Sequence, residues 1–290
     1  MTEKIVEETG RDPDAISVVI AGAVDARRGI ILSSPNLFGG KEIEFSSMLE
    51  ERLGKIVYIE NDATATVISE KIFGNGRSQA NFLYITMSTG IGGGIFINNR
   101  IYRGSTGMAG EFGHMVIDPS GPLCGCGRRG CFEVMAGGKG TLKIMEAMNA
   151  YAKSPYLKKI PLDKLEARHV FDGAEAGDKE SLRVINKIVE NMARGVANLV
   201  NIFDPEAIMI GGGLSNSKEL VIDGIIQRLP GELETMNRKV DILRTNQITV
   251  ELSPLAVVLY EKEMPSFNYE RIIREMREKI AEKTRYSLND

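Results

Sequence analysis

The stretch "NFLYITMSTGIGGGIFINN" (residues 81–99) carries a strong structural signal near the end of the first third of the chain. Residues 81–87 and 93–99 are rich in aromatic and β-branched side chains, which favour strands. The segment between them is rich in glycine, the residue that fits tight turns most easily. The pattern therefore predicts two strands joined by a glycine-rich turn, and with them a sheet.

Short apolar runs alternate with amphipathic stretches on both sides of this unit. Further strands are predicted at residues 16–22, 29–34, 55–59, 207–213 and 247–252. Helices are predicted at residues 44–53, 61–73, 139–152, part of 161–169, 178–202 and 218–229, and the charged tail from Glu261 onward is expected to be a solvated helix. Such alternation is typical of an α/β protein.

The composition excludes several classes of protein. Of the 290 residues, 43% are hydrophobic and 26% are charged, as in ordinary globular proteins. The formal net charge of -3 gives no general reason to bind nucleic acid. No apolar run approaches the roughly 20 residues that a membrane-spanning helix needs, and the polar first residues do not resemble a signal peptide. We therefore expect a cytoplasmic protein with no membrane partner.

All three cysteines lie in the segment "EFGHMVIDPSGPLCGCGRRGC" (residues 111–131). His114, Cys124, Cys126 and Cys131 are spaced as H-x9-C-x-C-x4-C. One imidazole and three thiolates form a closed tetrahedral set of the kind that holds structural zinc. The alternative is a glycine-rich turn with free, buried cysteines. We predict a structural zinc site with no open position for catalysis.

Asn61 and Asp62 follow a predicted strand directly and open a predicted helix. Both residue types are favoured as helix caps, which is one interpretation. The other is functional, because α/β folds place ligands at the carboxyl ends of their strands. A carboxylate there can accept a proton from a hydroxyl nucleophile.

Two glycine-rich segments and two glutamates each allow either a binding role or a purely structural one. The segments "STGIGGGI" (residues 88–95) and "IGGGLS" (residues 210–215) could expose backbone N–H groups to phosphate, or could be plain turns. Neither is a P-loop, because no Gly-Lys-Ser/Thr follows. Glu111 and Glu133 bracket the cysteine segment, either as acceptors for sugar hydroxyls or as surface glutamates.

Taken together, four motifs resemble the ROK family of sugar kinases and sugar-responsive repressors. They are "ENDATA", "STGIGGGI", "AGEFGHMVID" and "CGCGRRGCFE", in this order. The resemblance covers roughly residues 15–215 and implies the two-lobed actin-like (ribonuclease H-like) ATPase fold. Residues 1–80 would form an incomplete first lobe with the catalytic aspartate. Residues 81–290 would form a second lobe with the zinc loop, the nucleotide glycines and a C-terminal helix.

The resemblance also implies roles for individual residues. Asp62 would be the catalytic base in the ATP-dependent phosphorylation of a hexose, as in a glucokinase. The sugar-binding residues would be Gly39, Asn61, Glu111, His114 and Glu133, and the phosphate-binding residues would be Ser88, Thr89, Gly90, Gly211, Gly212 and Gly213. ATP would enter with Mg²⁺, zinc would be structural, and the protein would form a homo-oligomer.

The chain departs from the family pattern at three places. Family kinases begin with a strand carrying D-x-G-G-T, and no segment here matches it. Gly40 stands where the family usually has tryptophan, and Val258 and Leu259 stand where it has a Gly-Ala pair. We therefore expect a first lobe truncated at the N-terminus and a reduced rate of phosphoryl transfer.

Two other functions fit the same sugar-binding residues. One is a transcriptional regulator that senses sugar without phosphorylating it. Family repressors carry a winged helix-turn-helix ahead of this domain, and we find no such element and no basic patch, so we favour the kinase. The other is a non-catalytic remnant that only binds sugar.

Overall fold

The computed structural model describes residue 10 and residues 12–34, 37, 40–216, 218–233 and 239–263. The strands are β1 (Ala15–Ile20), β2 (Ala23–Asp25), β3 (Ile30–Ser33), β4 (Ile56–Asn61), β5 (Phe82–Met87), β6 (Ile91–Ile97), β7 (Arg100–Ile101), β8 (Ala207–Gly211) and β9 (Asp241–Arg244). The α-helices are α1 (Phe45–Leu53), α2 (Asp62–Ile72), α3 (Phe132–Ala136), α4 (Gly138–Ala147), α5 (Ala150–Lys153), α6 (Ala167–Glu175), α7 (Lys179–Phe203), α8 (Lys218–Glu232), α9 (Gln247–Glu251) and α10 (Ser253–Glu263). The mixed α/β architecture that the sequence predicts is confirmed.

The N-terminal part contains a parallel pair of strands and a hairpin. β1 pairs in parallel with β4, and Ile20 lies opposite Asn61 at the carboxyl end of the pair. β2 and β3 form the antiparallel hairpin. Among the described residues β1 pairs with no other strand. Val57 and Ile59 of β4 are buried in a small apolar cluster with Ile20, which fixes the end of β4 where the helix α2 begins.

The second sheet has five strands in the order β7-β6-β5-β8-β9. β5 and β6 are the hairpin predicted from residues 81–99, and β8 and β9 add in parallel on the other side. Asn98 and Asn99 connect β6 to β7 with φ angles of 53° and 57°. Asparagine tolerates this left-handed region better than most residues, so the turn is encoded locally.

Helices cover both faces of this sheet. On one face α2 packs against Phe82, Tyr84 and Phe96, and Tyr260 of α10 completes the cluster. On the other face α7, which is 25 residues long, joins the largest apolar cluster. Each fully buried aliphatic side chain in such a cluster contributes about 1.5–3 kcal/mol. The position of α2 relative to the sheet is therefore held by a continuous core.

Several predicted boundaries are confirmed. α1 ends at Gly54, whose φ of 62° is the left-handed cap conformation expected of glycine there. α2 begins at Asn61, the predicted cap. No helix of the described part of the chain is long and apolar enough to cross a membrane. The tail beyond Glu263 lies outside the described residues, and the division into lobes at residues 80 and 81 stays a prediction.

The strand predicted at residues 247–252 is wrong, because this segment forms α9. Asn246 caps that helix by accepting the N–H of Ile248 at 3.0 Å. Ile248 is 61% exposed, whereas Thr249 is buried and its carbonyl accepts a hydrogen bond from Ser69 of α2. The cap and this tertiary contact outweigh the β-propensity of the segment.

Candidate functional site

The junction of β4 and α2 places Asn61 and Asp62 at the carboxyl end of the β1–β4 pair. The Oδ1 atom of Asn61 accepts the N–H groups of Ala63 at 3.0 Å and Thr64 at 3.1 Å, so it satisfies two free donors at the helix N-terminus. Its amide group donates to the carbonyl of Gly22 at 2.9 Å. Asn61 is therefore the helix cap, one of the two interpretations left open by the sequence.

Asp62 is the first residue of α2; the residue is exposed by surface area, although protein atoms surround its carboxyl group on several sides. Burial raises the pKa of its carboxyl group, although hydrogen bonds from the Ala63 N–H and from Asn61 lower the pKa in part. The Asn61 amide donates to Asp62 Oδ1 at 3.1 Å. A partly desolvated carboxylate held by its neighbours is suited to accept a proton, because its pKa lies closer to neutral pH. The cap of α2 thus also orients a candidate base.

A cleft lies in front of this carboxylate. Asn61 and Asp62 line this cleft together with the segment 107–111, which ends at Glu111. Gly92 and Gly93 of β6 lie at its base. The sequence places these groups far apart, and the fold brings two predicted sugar-binding residues and the candidate base to one cleft.

His114 and Glu133 extend the row of polar groups from this cleft. His114 Nε2 lies 3.9 Å from Glu111 Oε2, and His114 Nδ1 lies 3.6 Å from Glu133 Oε1. Glu111, His114 and Glu133 thus form one row of neighbouring polar groups, and Glu111 lines the same cleft as Asp62. Gly39, the remaining predicted sugar contact, lies outside the described residues.

The four predicted metal ligands form one cluster, in which all ligand atoms lie within 4.8 Å of one another. Cys126 Sγ lies 3.6 Å from Cys131 Sγ, and Cys124 Sγ lies 3.8 Å from His114 Nδ1. Ligands at about 2.0–2.3 Å around a tetrahedral Zn²⁺ lie about 3.3–3.8 Å apart. The donor set and its spacing fit zinc.

The thiols of this cluster have different surroundings. Burial raises the pKa of Cys124 to about 12, and burial also raises the pKa of Cys131. Hydrogen bonds from the backbone and side chain of Arg128 lower the pKa of Cys126 to about 6. Zinc binds thiolates, so its binding would displace the thiol protons that burial favours.

Glu133 connects the cysteine cluster to the glycine turn after β5. Cys124 Sγ donates to Glu133 Oε1 at 2.9 Å. The other carboxylate oxygen, Oε2, lies so near Gly90 that a Cβ atom added there would come within 2.6 Å of it. Any longer side chain at position 90 would displace this carboxylate. Glycine at this position therefore lets the Glu133 carboxylate lie directly against the turn.

The two predicted phosphate segments lie side by side because Thr86 of β5 pairs with Gly211 of β8. Ser88, Thr89 and Gly213 line a cavity of about 470 Å³. Gly212 has a φ of 90°, and a Cβ atom there would lie 2.4 Å from the Met87 carbonyl oxygen. The parallel pairing of β5 and β8 therefore creates one cavity from segments that are distant in sequence.

Gly138 and Lys139 line the same cavity and were not singled out in the sequence. Their N–H groups donate to the carbonyls of Ser88 at 2.8 Å and Thr89 at 3.0 Å, which joins α4 to the glycine turn. The signal that could have found them is the run "GGKG" (residues 137–140) at the start of a helix.

Two glycines of β6 have a packing role that the phosphate interpretation did not include. A Cβ atom at Gly93 would lie 2.1 Å from the Phe112 ring, and one at Gly94 would lie 2.4 Å from Val67 of α2. These glycines let the segment containing Glu111 and the helix containing Asp62 approach the sheet closely. They therefore set the width of the cleft.

We expect Gly93→Ala to destabilise the protein by about 1–3 kcal/mol, because the buried Phe112 ring must move. The same displacement should weaken sugar binding, since Phe112 follows Glu111 directly. Urea unfolding and calorimetric titration with glucose measure both effects. Gly231→Ala is the control: nothing lies within 4 Å of its added Cβ in α8, so stability should hold or rise slightly. Equal stability of the two variants would contradict the packing role.

Comparison with solved structures identifies the class of the fold. A ROK family glucokinase from Streptomyces griseus, solved in complex with glucose and AMPPNP, matches with a TM-score of 0.74 and 30% identity, over 89% of this chain and 87% of that one. A ROK hexokinase from Thermus thermophilus matches with a TM-score of 0.74 and 31% identity, over 89% of this chain and 82% of that one. The protein has the actin-like ATPase fold of these enzymes.

Sequence relatives agree with this class. The model of the ROK family matches residues 1–249, and the chain belongs to the ROK family. A glucokinase of Thermotoga maritima is 34% identical over 232 residues, which are 79% of this chain and 73% of that protein. A xylose repressor of Bacillus spizizenii is 33% identical over 210 residues, which are 72% of this chain and about half, 51%, of the repressor.

Proposed function

We propose that the protein is an ATP-dependent hexose kinase of the glucokinase type. The observation that carries this proposal is the cleft that the candidate base Asp62 shares with Asn61 and Glu111. Membership of a family with glucokinase relatives at 34% identity supports the same function. Phosphoryl transfer requires mainly positioning and charge stabilisation, which such a preformed cleft can supply.

In this proposal Asp62 accepts the proton of the attacking sugar hydroxyl. Glu111, His114 and Glu133 hold the other hydroxyls, for which carboxylate oxygens and ring nitrogens are good hydrogen-bonding partners. Asn61, whose side-chain amide is hydrogen-bonded within the protein, is proposed as a sugar contact by resemblance. The raised pKa of Asp62 supports its role, because a carboxylate with a raised pKa has a higher proton affinity. Gly39 is proposed as a further sugar contact by resemblance alone.

ATP, bound with Mg²⁺ as the substrate complex, is proposed to occupy the cavity lined by Ser88, Thr89 and Gly213. Its volume of about 470 Å³ suits a ligand of nucleotide size. Gly90, Gly211 and Gly212 shape the same two turns. Mg²⁺ would neutralise charge on the phosphates in the transition state.

Zinc is proposed as a structural ion held by His114, Cys124, Cys126 and Cys131. The Nδ1 atom of His114 faces Cys124 and its Nε2 atom faces Glu111, so one imidazole joins the metal cluster to the sugar cleft. Four protein ligands leave no open position, so the ion would organise the loop without taking part in the reaction.

The expected homo-oligomer stays a prediction.

A coupled assay of ADP release with a panel of hexoses tests the function. We expect sugar-dependent ADP release with glucose or a related hexose. The panel should include N-acetylated hexosamines, since the residues of the cleft do not specify one sugar. Absence of turnover with every sugar, in a protein that binds glucose by calorimetry, would reject the kinase and favour a sugar-binding role.

We expect the acid limb of the kcat/KM profile, which reports groups of the free enzyme, to lie above the ordinary aspartate pKa of 3.8. Burial raises the pKa of Asp62, so as the pH falls its carboxylate becomes protonated, and the base is lost, at a higher pH than for an exposed aspartate. Steady-state rates across the acid range give the limb. Circular dichroism and bound-zinc measurements at each pH exclude unfolding and metal loss. A limb at or below the ordinary value would contradict the role of Asp62.

A sugar-sensing regulator is the second candidate, because the Bacillus spizizenii repressor is as similar in sequence as the glucokinases. A regulator domain would bind sugar in the same cleft without turnover. The ADP assay separates the two functions when it is combined with calorimetry. Binding of xylose or glucose together with no ADP release would support the regulator.

A further inference from the structure

Three charged side chains meet in the interior behind Asp62. Glu60 is the residue before Asn61 in β4, Arg103 follows β7, and Glu261 lies in α10. Arg103 Nε and the terminal Nη2 atom each lie 2.8 Å from Glu60 Oε2, and Arg103 also pairs with Glu261. The exposed fractions of the Glu60 and Arg103 side chains are 3% and 8%, and that of Glu261 is 28%.

Burying these three charged side chains has an unfavourable free energy, so a contribution to stability alone does not explain the triad. Removing a carboxylate and a guanidinium from water costs several kcal/mol per ion, and an apolar pair of the same volume is often as stable. Burial raises the pKa of Glu60, and the charge and hydrogen bond of Arg103 oppose that rise. Apolar contacts would be enough to hold α10 against the sheet. The contacts of Glu60 suggest a different reason.

The second oxygen of Glu60 contacts the junction that carries the candidate base. Glu60 Oε1 accepts the backbone N–H of Asn61 at 2.9 Å. Asn61 in turn caps α2 and donates to Asp62 Oδ1 at 3.1 Å. The rotamer of Glu60 is fixed by Arg103, so the position of Asp62 depends on Arg103 through two hydrogen-bonded residues.

Arg103 also precedes the segment 107–111 of the cleft lining. Its backbone carbonyl accepts the N–H of Ala109 at 3.2 Å, which folds the segment between them into a closed loop. Residues 107–111 of that loop and its continuation line the cleft together with Asp62. Arg103 is therefore linked to two parts of the cleft lining: its side chain pairs with Glu60, which accepts the Asn61 N–H, and its carbonyl accepts the Ala109 N–H.

We propose that Glu60 and Arg103 are positioning residues, which hold Asn61 and the carboxylate of Asp62 at a fixed place relative to the segment that ends at Glu111. Glu261 ties α10 to the same point. This inference rests on the proposed function for its kinetic consequence. Its structural part, the fixed backbone of Asn61, can be measured without turnover.

The test compares four variants: Arg103→Met, Arg103→Lys, Glu60→Gln with Arg103→Met, and the control Arg100→Met. Arg100 is an exposed residue of β7 outside the triad. Three quantities are measured for each: unfolding in urea, hydrogen exchange of the peptide containing Asn61, and kcat and KM for glucose with ATP.

We expect Arg103→Met to lower kcat by up to about 100-fold with a much smaller change in KM, because a small misplacement of a reacting group costs this much. It should also speed exchange at Asn61 and reduce stability. Arg103→Lys should recover stability and part of kcat, since it keeps the charge but not the forked geometry. The control should match the parent.

The double variant separates positioning from a purely structural role. It removes the unpaired buried carboxylate that Arg103→Met leaves behind, so it should regain stability. The proposal requires its kcat to stay low and its exchange at Asn61 to stay fast. Recovery of kcat together with stability would overturn the proposal. If the parent shows no turnover, the proposed function fails, and exchange at Asn61 alone decides: unchanged exchange in Arg103→Met would overturn the positioning role.

Discussion

Asp62→Asn is expected to lower kcat for hexose phosphorylation by about 10²–10⁴-fold, the usual contribution of a positioned general base. Asparagine has nearly the same shape and can still accept the Ala63 N–H through its side-chain oxygen, so α2 should form as before. Glucose affinity, measured by calorimetry, should change little, because the other sugar contacts remain. The ADP assay measures the loss of rate.

The same substitution should not destabilise the protein at neutral pH. The folded-state pKa of Asp62 is raised by burial, so its ionised form is disfavoured in the folded state relative to the unfolded chain. A neutral asparagine removes that penalty. Asp163→Asn, at an exposed position, is the matched control and should leave both rate and stability unchanged. A kcat for Asp62→Asn close to that of the parent would show that another group is the base.

Cys126→Ser is expected to abolish stoichiometric zinc binding and to weaken glucose binding by about 10–100-fold, the size of effect seen when the support of a site is removed. The physical reason is that the His114 ring faces both Cys124 and Glu111, while Glu133 accepts a hydrogen bond from Cys124 and lies close to Gly90. Loss of the ion would release these side chains together. Metal analysis and calorimetric titration with glucose provide the measurements.

Removal of zinc by a chelator provides the matched control for this variant. The parent should lose glucose affinity when stripped and regain it when zinc is added back, whereas Cys126→Ser should not regain it. If the variant loses the metal and keeps full glucose affinity, the cysteine loop only stabilises the fold, and our link between metal and sugar is incorrect.

Much of the site could be predicted because its elements are encoded locally. Asn61 and Asp62 stand at a strand–helix junction that the hydrophobic pattern and the capping preference define within a few residues. The four candidate metal ligands lie within one short segment, and their residue types and spacing are typical of a zinc site. These features depend on neighbours in the sequence, so the sequence alone is enough to find them.

The features that were missed depend on distant neighbours. Glu60 and Arg103 are separated by 43 residues, and Arg103 and Glu261 by 158. No local sequence pattern therefore indicates that these three charged side chains meet. The helix at Gln247–Glu251 forms in a segment of strand-like composition because an asparagine caps it and α2 contacts it. Glycines of β6 read as phosphate contacts from their composition, while the fold uses Gly93 and Gly94 for close packing.

The central position of β5 has a consequence for synthesis of the protein. One edge of β5 pairs with β6, which follows it immediately, but the other edge pairs with β8, far later in the chain. A nascent chain can form the β5–β6 hairpin early. The backbone N–H and C=O groups on the other edge of β5 stay unpaired until β8 has been synthesised. Until then the chain is expected to depend on chaperones, and the cavity lined by Ser88, Thr89 and Gly213 is among the last features to be assembled.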